Sequence, residues 1–179
     1  GSVTVWYFLK ILKELGYQVT FIPENLHDLS PYTEMVQGLG VECLYRPYVN
    51  NIEKYIEENG HKFDTVMLYR VNVGGRFFET VRKFASNAKI IFDTVDLHFL
   101  REERQAKMEK DKEKSAEMLA NSYQTREREL HLLRNSDIAI VLSEYEKSML
   151  SRDWDIQNTF VIPIVLEVPG LKNSYENRK

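Results

Sequence analysis

Short apolar runs that alternate with longer helical patterns constrain this 179-residue chain more than any single motif does. The strand-like runs fall at Gln18 to Ile22, Val41 to Tyr45, Thr65 to Tyr69, Lys89 to Phe92, Asp137 to Leu142 and Thr159 to Ile162, where β-branched and aromatic residues suit a pleated surface. Helical spacing fills the intervals. Val5, Phe8, Leu9, Leu12 and Leu15 recur on one face before Gly16, a natural C-terminal cap. Further helices are expected at Tyr32 to Leu39, Asn51 to Asn59, Arg76 to Ala85, Phe99 to Arg134 and Glu144 to Ser151. Strand, helix and strand in succession close most readily as right-handed βαβ units. The expected fold class is therefore α/β, a Rossmann-like three-layer sandwich around a parallel sheet.

With 43% hydrophobic and 28% charged residues, the chain can close one ordinary core. The domain is expected over 1–163, with 164–179 a linker that leaves the last strand through Pro163 and Pro169 toward a C-terminal domain not contained in this chain. A net charge of -3 gives no electrostatic reason for a nucleic-acid partner. No apolar run approaches the roughly 20 residues that span a bilayer. The lone Cys43 permits no internal disulfide and suits a reducing, cytoplasmic setting. Between Arg101 and Glu117, six basic and six acidic residues mix with little apolar stripe, so this stretch is expected to protrude as a solvated helix rather than form a basic membrane patch.

The densest chemistry follows Lys89 to Phe92. Asp93, Asp96, His98, Arg101 and Glu102 place acid, base and cation at the end of an apolar strand, the edge where ligands bind in open α/β sheets. A carboxylate beside an imidazole can fix its tautomer and leave the other nitrogen for a hydroxyl or phosphate. The structural alternative is that His98 only begins the long helix, with Asp96 as its N-terminal acceptor. Tyr69-Arg70-Val71-Asn72-Val73-Gly74-Gly75-Arg76 lies at another strand end. It reads either as an ordinary turn or as a loop whose Arg70, Asn72 and Gly74 approach an anionic ligand. Ser143-Glu144-Tyr145-Glu146 is a capping box.

Four pieces in order, Gly1-Ser2-Val3-Thr4-Val5-Trp6, Gly16 through Asn25, Asp93-Thr94-Val95-Asp96-Leu97-His98 with Arg101-Glu102-Glu103-Arg104, and Ser136-Asp137 through Ser143-Glu144, resemble the N-terminal half of bacterial family 4-type glycosyltransferases. These are retaining enzymes of GT-B architecture, often tied to surface polysaccharide synthesis. The resemblance implies an acceptor-binding domain whose partner domain grips the nucleotide-sugar donor, a saccharide or lipid-linked acceptor, and no cofactor. It implies catalytic roles for His98 and Asp96 and a substrate-binding role for Gly1 and Ser2, with no metal ligands; Arg101, one turn beyond His98, can either reach an anionic acceptor or merely pair with a nearby acid, and Arg70, Asn72 and Gly74 are substrate-binding candidates from their place at a strand end. Ile164-Val165 departs from the Asn-Gly that commonly follows the interdomain proline.

The resemblance also implies that the family's first strand, central in order 3-2-1-4-5-6, is missing. Either Gln18 to Ile22 pairs directly with Thr65 to Tyr69 in a flavodoxin-like order or a segment from elsewhere fills the slot; direct closure is the expectation, because it restores a continuous ladder without a partner. Two rival functions are a non-catalytic flavodoxin-like binding module and a metal-dependent hydrolase using Asp93, Asp96 and His98.

Overall fold

A computed structural model describes residues 2–164 and 170. The expected role of Gly1 and most of the expected linker, 165–169 and 171–179, lie outside the described residues, as does the side chain of Ser2.

The chain runs α1 (Ser2–Glu14), β1 (Thr20–Phe21), α2 (Tyr32–Gly38), β2 (Glu42–Cys43), α3 (Ile52–Asn59), a 3-10 turn (Gly60–Lys62), β3 (Thr65–Tyr69), α4 (Val71–Phe84), β4 (Lys89–Asp93), α5 (His98–Met108), α6 (Lys112–Asn135), β5 (Ile138–Val141), α7 (Glu144–Trp154) and β6 (Thr159–Val161). Every strand pairing is parallel. The α/β expectation therefore holds. Strands β3, β4, β5 and β6 lie side by side in that order, with Tyr69 opposite Asp93 and Asp93 opposite Ile140. Consecutive carboxyl ends thus share one edge.

The core explains the strand assignment. Ile90 and Phe92 are fully buried on β4, Ala139 and Val141 on β5, and they pack with Leu132, Leu133 and Leu150 from the helices. Burying side chains of this size contributes about 1.5–3 kcal/mol each. Asp137 pins the sheet from below: its carboxylate accepts from the Ile90 N–H at 2.9 Å and pairs with Arg82 and Lys89. The Ile90 N–H bond and these cations hold its pKa below the ordinary value.

The expected pairing of the first and third strand runs is overturned. β1 joins β2 in a separate two-stranded sheet and has no ladder with β3. The pair has its own apolar cluster, Leu9, Val41 and Cys43 with Val5, Val19, Phe21, Val36, Leu39 and Tyr45 around them. Leu9, Val41 and Cys43 are buried in this cluster and the other six partly so, while Ile22 and Leu44 pack against the main core, so apolar contact joins the two sheets without a backbone ladder. Among the described residues the registers leave two edges without a ladder partner. Because Arg70 N donates to Asp93 O and Lys89 N to Asp64 O, the even-numbered residues of β3 bond β4, and the backbone of Thr65, Met67 and Tyr69 points the other way. On β1, Val19 and Phe21 bond β2, leaving Thr20 and Ile22 on the outer side.

The expected long helix is also corrected. It breaks at 109–111 and folds back as an antiparallel hairpin instead of protruding, shown by the Ser115 hydroxyl donating to Ala106 O at 2.8 Å and by Glu129 bonding residues 98 and 99. Asp111 is the reason. Its carboxylate accepts from Glu113 N and Lys114 N as an N-cap, starting a new helix inside the charged run. Among the described residues no helix is long and apolar enough to cross a membrane.

Candidate functional site

The carboxyl end of β4 passes into α5 through a loop fastened on both sides. Asp93 is buried, and its Oδ1 accepts from Val95 N at 2.9 Å. Burial raises the Asp93 pKa, against the lowering effect of that bond. Thr94, fully buried, donates both its hydroxyl and its N–H to Ile140 O on β5. Val95 is held at φ 62°, a left-handed conformation costly for a β-branched residue, on the order of 1–3 kcal/mol. These bonds give the loop one shape.

That shape delivers Asp96, His98 and Arg101 to one place. His98 Nδ1 lies 3.0 Å from the carbonyl oxygen of Asp96. A carbonyl can only accept, so Nδ1 carries the proton and, in the neutral ring, Nε2 is the acceptor. Nε2 has no hydrogen-bond partner among the described residues. The Asp96 carboxylate is 3.6 Å from His98 Nδ1 and accepts from Arg101 at 2.6 Å. The expected grouping of these three residues is therefore present, although His98 is buried, with its ring only 7% exposed.

Asp96 is not the N-terminal acceptor of α5. That place belongs to Glu129, which reaches across from α6: Oε1 accepts from His98 N at 3.2 Å and Oε2 from Phe99 N at 3.1 Å. Glu129 is completely buried. Burial is the main cause raising its pKa from 4.5 to about 7; nearby Asp96 and Glu102 add to the rise and the two N–H bonds oppose it. The carboxyl thereby fixes the backbone of the residue whose ring bears Nε2.

Sequence reasoning missed Glu129 because it sits in the run Arg126-Glu127-Arg128-Glu129, where alternating charges read as solvated. The available signal was periodicity. Ser122, Thr125, Glu129, Leu132 and Leu133 share the buried side of α6, so the stripe of core positions continues through polar residues.

The second expected cluster divides. Arg70 stands at the end of β3 with φ 61° and ψ 150°, its side chain exposed. Its N–H donates to Asp93 O, which joins it to the site's edge. Asn72 is exposed one residue into α4. Gly74 belongs elsewhere. Helix α4 starts five residues earlier than the expected Arg76, so Gly74 lies inside a helix rather than on a loop. A Cβ there would come within 3.1 Å of the Phe92 ring and 3.4 Å of Leu132. Its small size serves close packing against β4 and α6, not the approach of a ligand.

Beside Asp96 and Arg101 lies an open cavity of about 340 Å³, bounded also by Arg104, Ser143, Tyr145 and Glu146. The capping box is present: Glu146 N donates to the Ser143 hydroxyl, and Glu146 Oε2 accepts from Ser143 N and Leu142 N. Tyr69, across the edge, has its phenol pKa pushed up by burial and by Asp93. Among the described residues no three His, Cys, Asp or Glu side chains gather to hold a metal ion. Asp93 turns to Val95 N, and Asp96 to Arg101. Comparison with models of protein families, with curated proteins and with solved structures finds no match to this chain.

Proposed function

We propose that this chain is the acceptor-binding half of a retaining glycosyltransferase of GT-B architecture, transferring a sugar from a nucleotide-sugar to a saccharide or lipid-linked acceptor in surface polysaccharide synthesis. The observation that carries the reading is the Asp96, His98 and Arg101 group at the carboxyl end of a central parallel strand, with Nδ1 committed to a carbonyl. An imidazole so held presents Nε2 to a sugar hydroxyl, and Arg101 can stabilise negative charge beside it. The resemblance of the Asp93 to His98 block and of the flanking pieces to family 4-type enzymes supplies the reaction class. Donor binding falls to a second domain in this reading, so the chain alone binds acceptor without turnover.

The test uses the 179-residue chain against a panel of saccharides and lipid-linked saccharides. Saturable binding that is lost in His98→Gln, with background product only when nucleotide-sugars are added, is the expected result. Failure to bind any saccharide would remove the acceptor role. Robust transfer by this chain would overturn the half-enzyme reading.

A further inference from the structure

The cavity between the beginnings of α5 and α7 holds donors, on Arg104 and Tyr145, that the acceptor reading does not use. Two arginines, Arg101 and Arg104, and two carboxylates, Asp96 and Glu146, border it. Both carboxylates are already engaged. Asp96 takes Arg101 at 2.6 Å, and Glu146 is turned into the N-terminus of α7, accepting from Leu142 N, Ser143 N and the Ser143 hydroxyl. Among the described residues no carboxylate pairs with Arg104. The Tyr145 hydroxyl makes no hydrogen bond either, and that side chain is 64% exposed.

We propose that this cavity binds a phosphate monoester, with Arg104 as its principal anchor and Arg101 and Tyr145 as further donors. The inference rests on the acceptor-side reading only in assigning that ester to the acceptor. Arg101 and Arg104 are three apart on one helix, so their side chains are neighbours on its surface. Each guanidinium has five donors, and the pair with Asp96 leaves most of those on Arg101 unused. One carboxylate ligand is satisfied by a single guanidinium fork. A dianion with three free oxygens can use two, which favours phosphate. A volume of about 340 Å³ lies at the small end of ligand sites, of order 300–1,000 Å³, suited to a sugar phosphate. The N–H groups of Leu142, Ser143 and Glu146 at the start of α7 are already taken by the capping box, so the arginines carry the attraction.

Calorimetric titration of the 179-residue chain with glucose 1-phosphate, inorganic phosphate and methyl glucoside separates the possibilities. Glucose 1-phosphate is expected to bind, more tightly than inorganic phosphate. Arg104→Ala should weaken it by about tenfold or more, Arg104→Lys by less, and Arg152→Ala, which removes the same charge beyond the cavity, by nothing measurable. Arg104 is exposed, so the fold should tolerate its replacement, and an unchanged far-ultraviolet spectrum checks this. Equal loss in Arg104→Ala and Arg152→Ala, or none in either, would overturn the proposal. Inorganic phosphate binding as tightly as the ester would overturn its ester part. Methyl glucoside binding with no effect of phosphate would sink the cavity's role and leave the acceptor reading standing. Phosphate ester binding that depends on Arg104, in a chain that binds no neutral saccharide, would do the reverse.

Discussion

Replacing Glu129 by Gln isolates the energetics of the buried cap. In the native protein the carboxyl group is completely buried and has a pKa of about 7, against an ordinary 4.5. Between those values the folded state holds a proton that the unfolded state has released. Stability from this group is therefore fully present below pH 4.5 and is lost as pH rises through 7. A shift of this size corresponds to roughly 3 kcal/mol, most of it expressed between pH 5 and 8. Glutamine cannot titrate. In the native side-chain position its carbonyl oxygen replaces only one of the two oxygens that accept from His98 N and Phe99 N, and its amide group faces the other N–H, at a cost of about 1–2 kcal/mol that does not vary with pH. Urea unfolding at pH 5, 6, 7 and 8 and constant ionic strength should show the native protein losing its advantage over Glu129→Gln by roughly 2–3 kcal/mol across the range. Titrations of groups remote from Glu129 cancel in that difference; His98, whose Nδ1 lies 3.8 Å from Glu129 Oε1, is to be followed separately. Parallel stability profiles would refute the argument, because they would mean that Glu129 titrates alike in the folded and unfolded states.

Arg70→Gly should raise stability by about 1 kcal/mol in thermal unfolding, since an exposed side chain occupies a backbone region that glycine alone adopts freely; a drop in melting temperature would count against strain there. Gly74→Ala should lower stability by about 1–2 kcal/mol, as overpacking against Phe92 outweighs the gain in helix propensity. A stabilised variant would show that Phe92 yields. Ser143→Ala should cost about 1 kcal/mol in urea unfolding through loss of the cap on α7, and no change would show that Glu146 alone holds the helix end.

The central strands were legible because Ile90, Ile91 and Phe92 form a continuous apolar run that a buried parallel strand requires. The Asp96, His98 and Arg101 group was legible for a related reason: all three follow that strand within eight residues, so local geometry alone brings them together. What depends on distant contacts was not. Glu129 lies 31 residues beyond His98, and only the hairpin of α5 and α6 makes them neighbours. The break between those helices was written in Asp111 but obscured by surrounding charge, which suits a solvated helix equally well. Gly74 misled because a glycine pair after a strand fits both a phosphate loop and a helix that must approach a ring closely. Strand pairing between β1 and β3 was a choice of topology, and periodicity says which segments are strands, not which of them meet.

The bare side of β3 also has a consequence for how this chain behaves in a concentrated solution. Thr65-Val66-Met67-Leu68-Tyr69 contains no charge and no proline, the devices by which sheet edges usually discourage further pairing. Three N–H and three C=O groups, on Thr65, Met67 and Tyr69, face outward from it as a template. An extended apolar segment that reaches this edge can continue the ladder there. Self-association should consequently appear with rising concentration while the helical signal is still intact, and a lysine at Met67 should delay it.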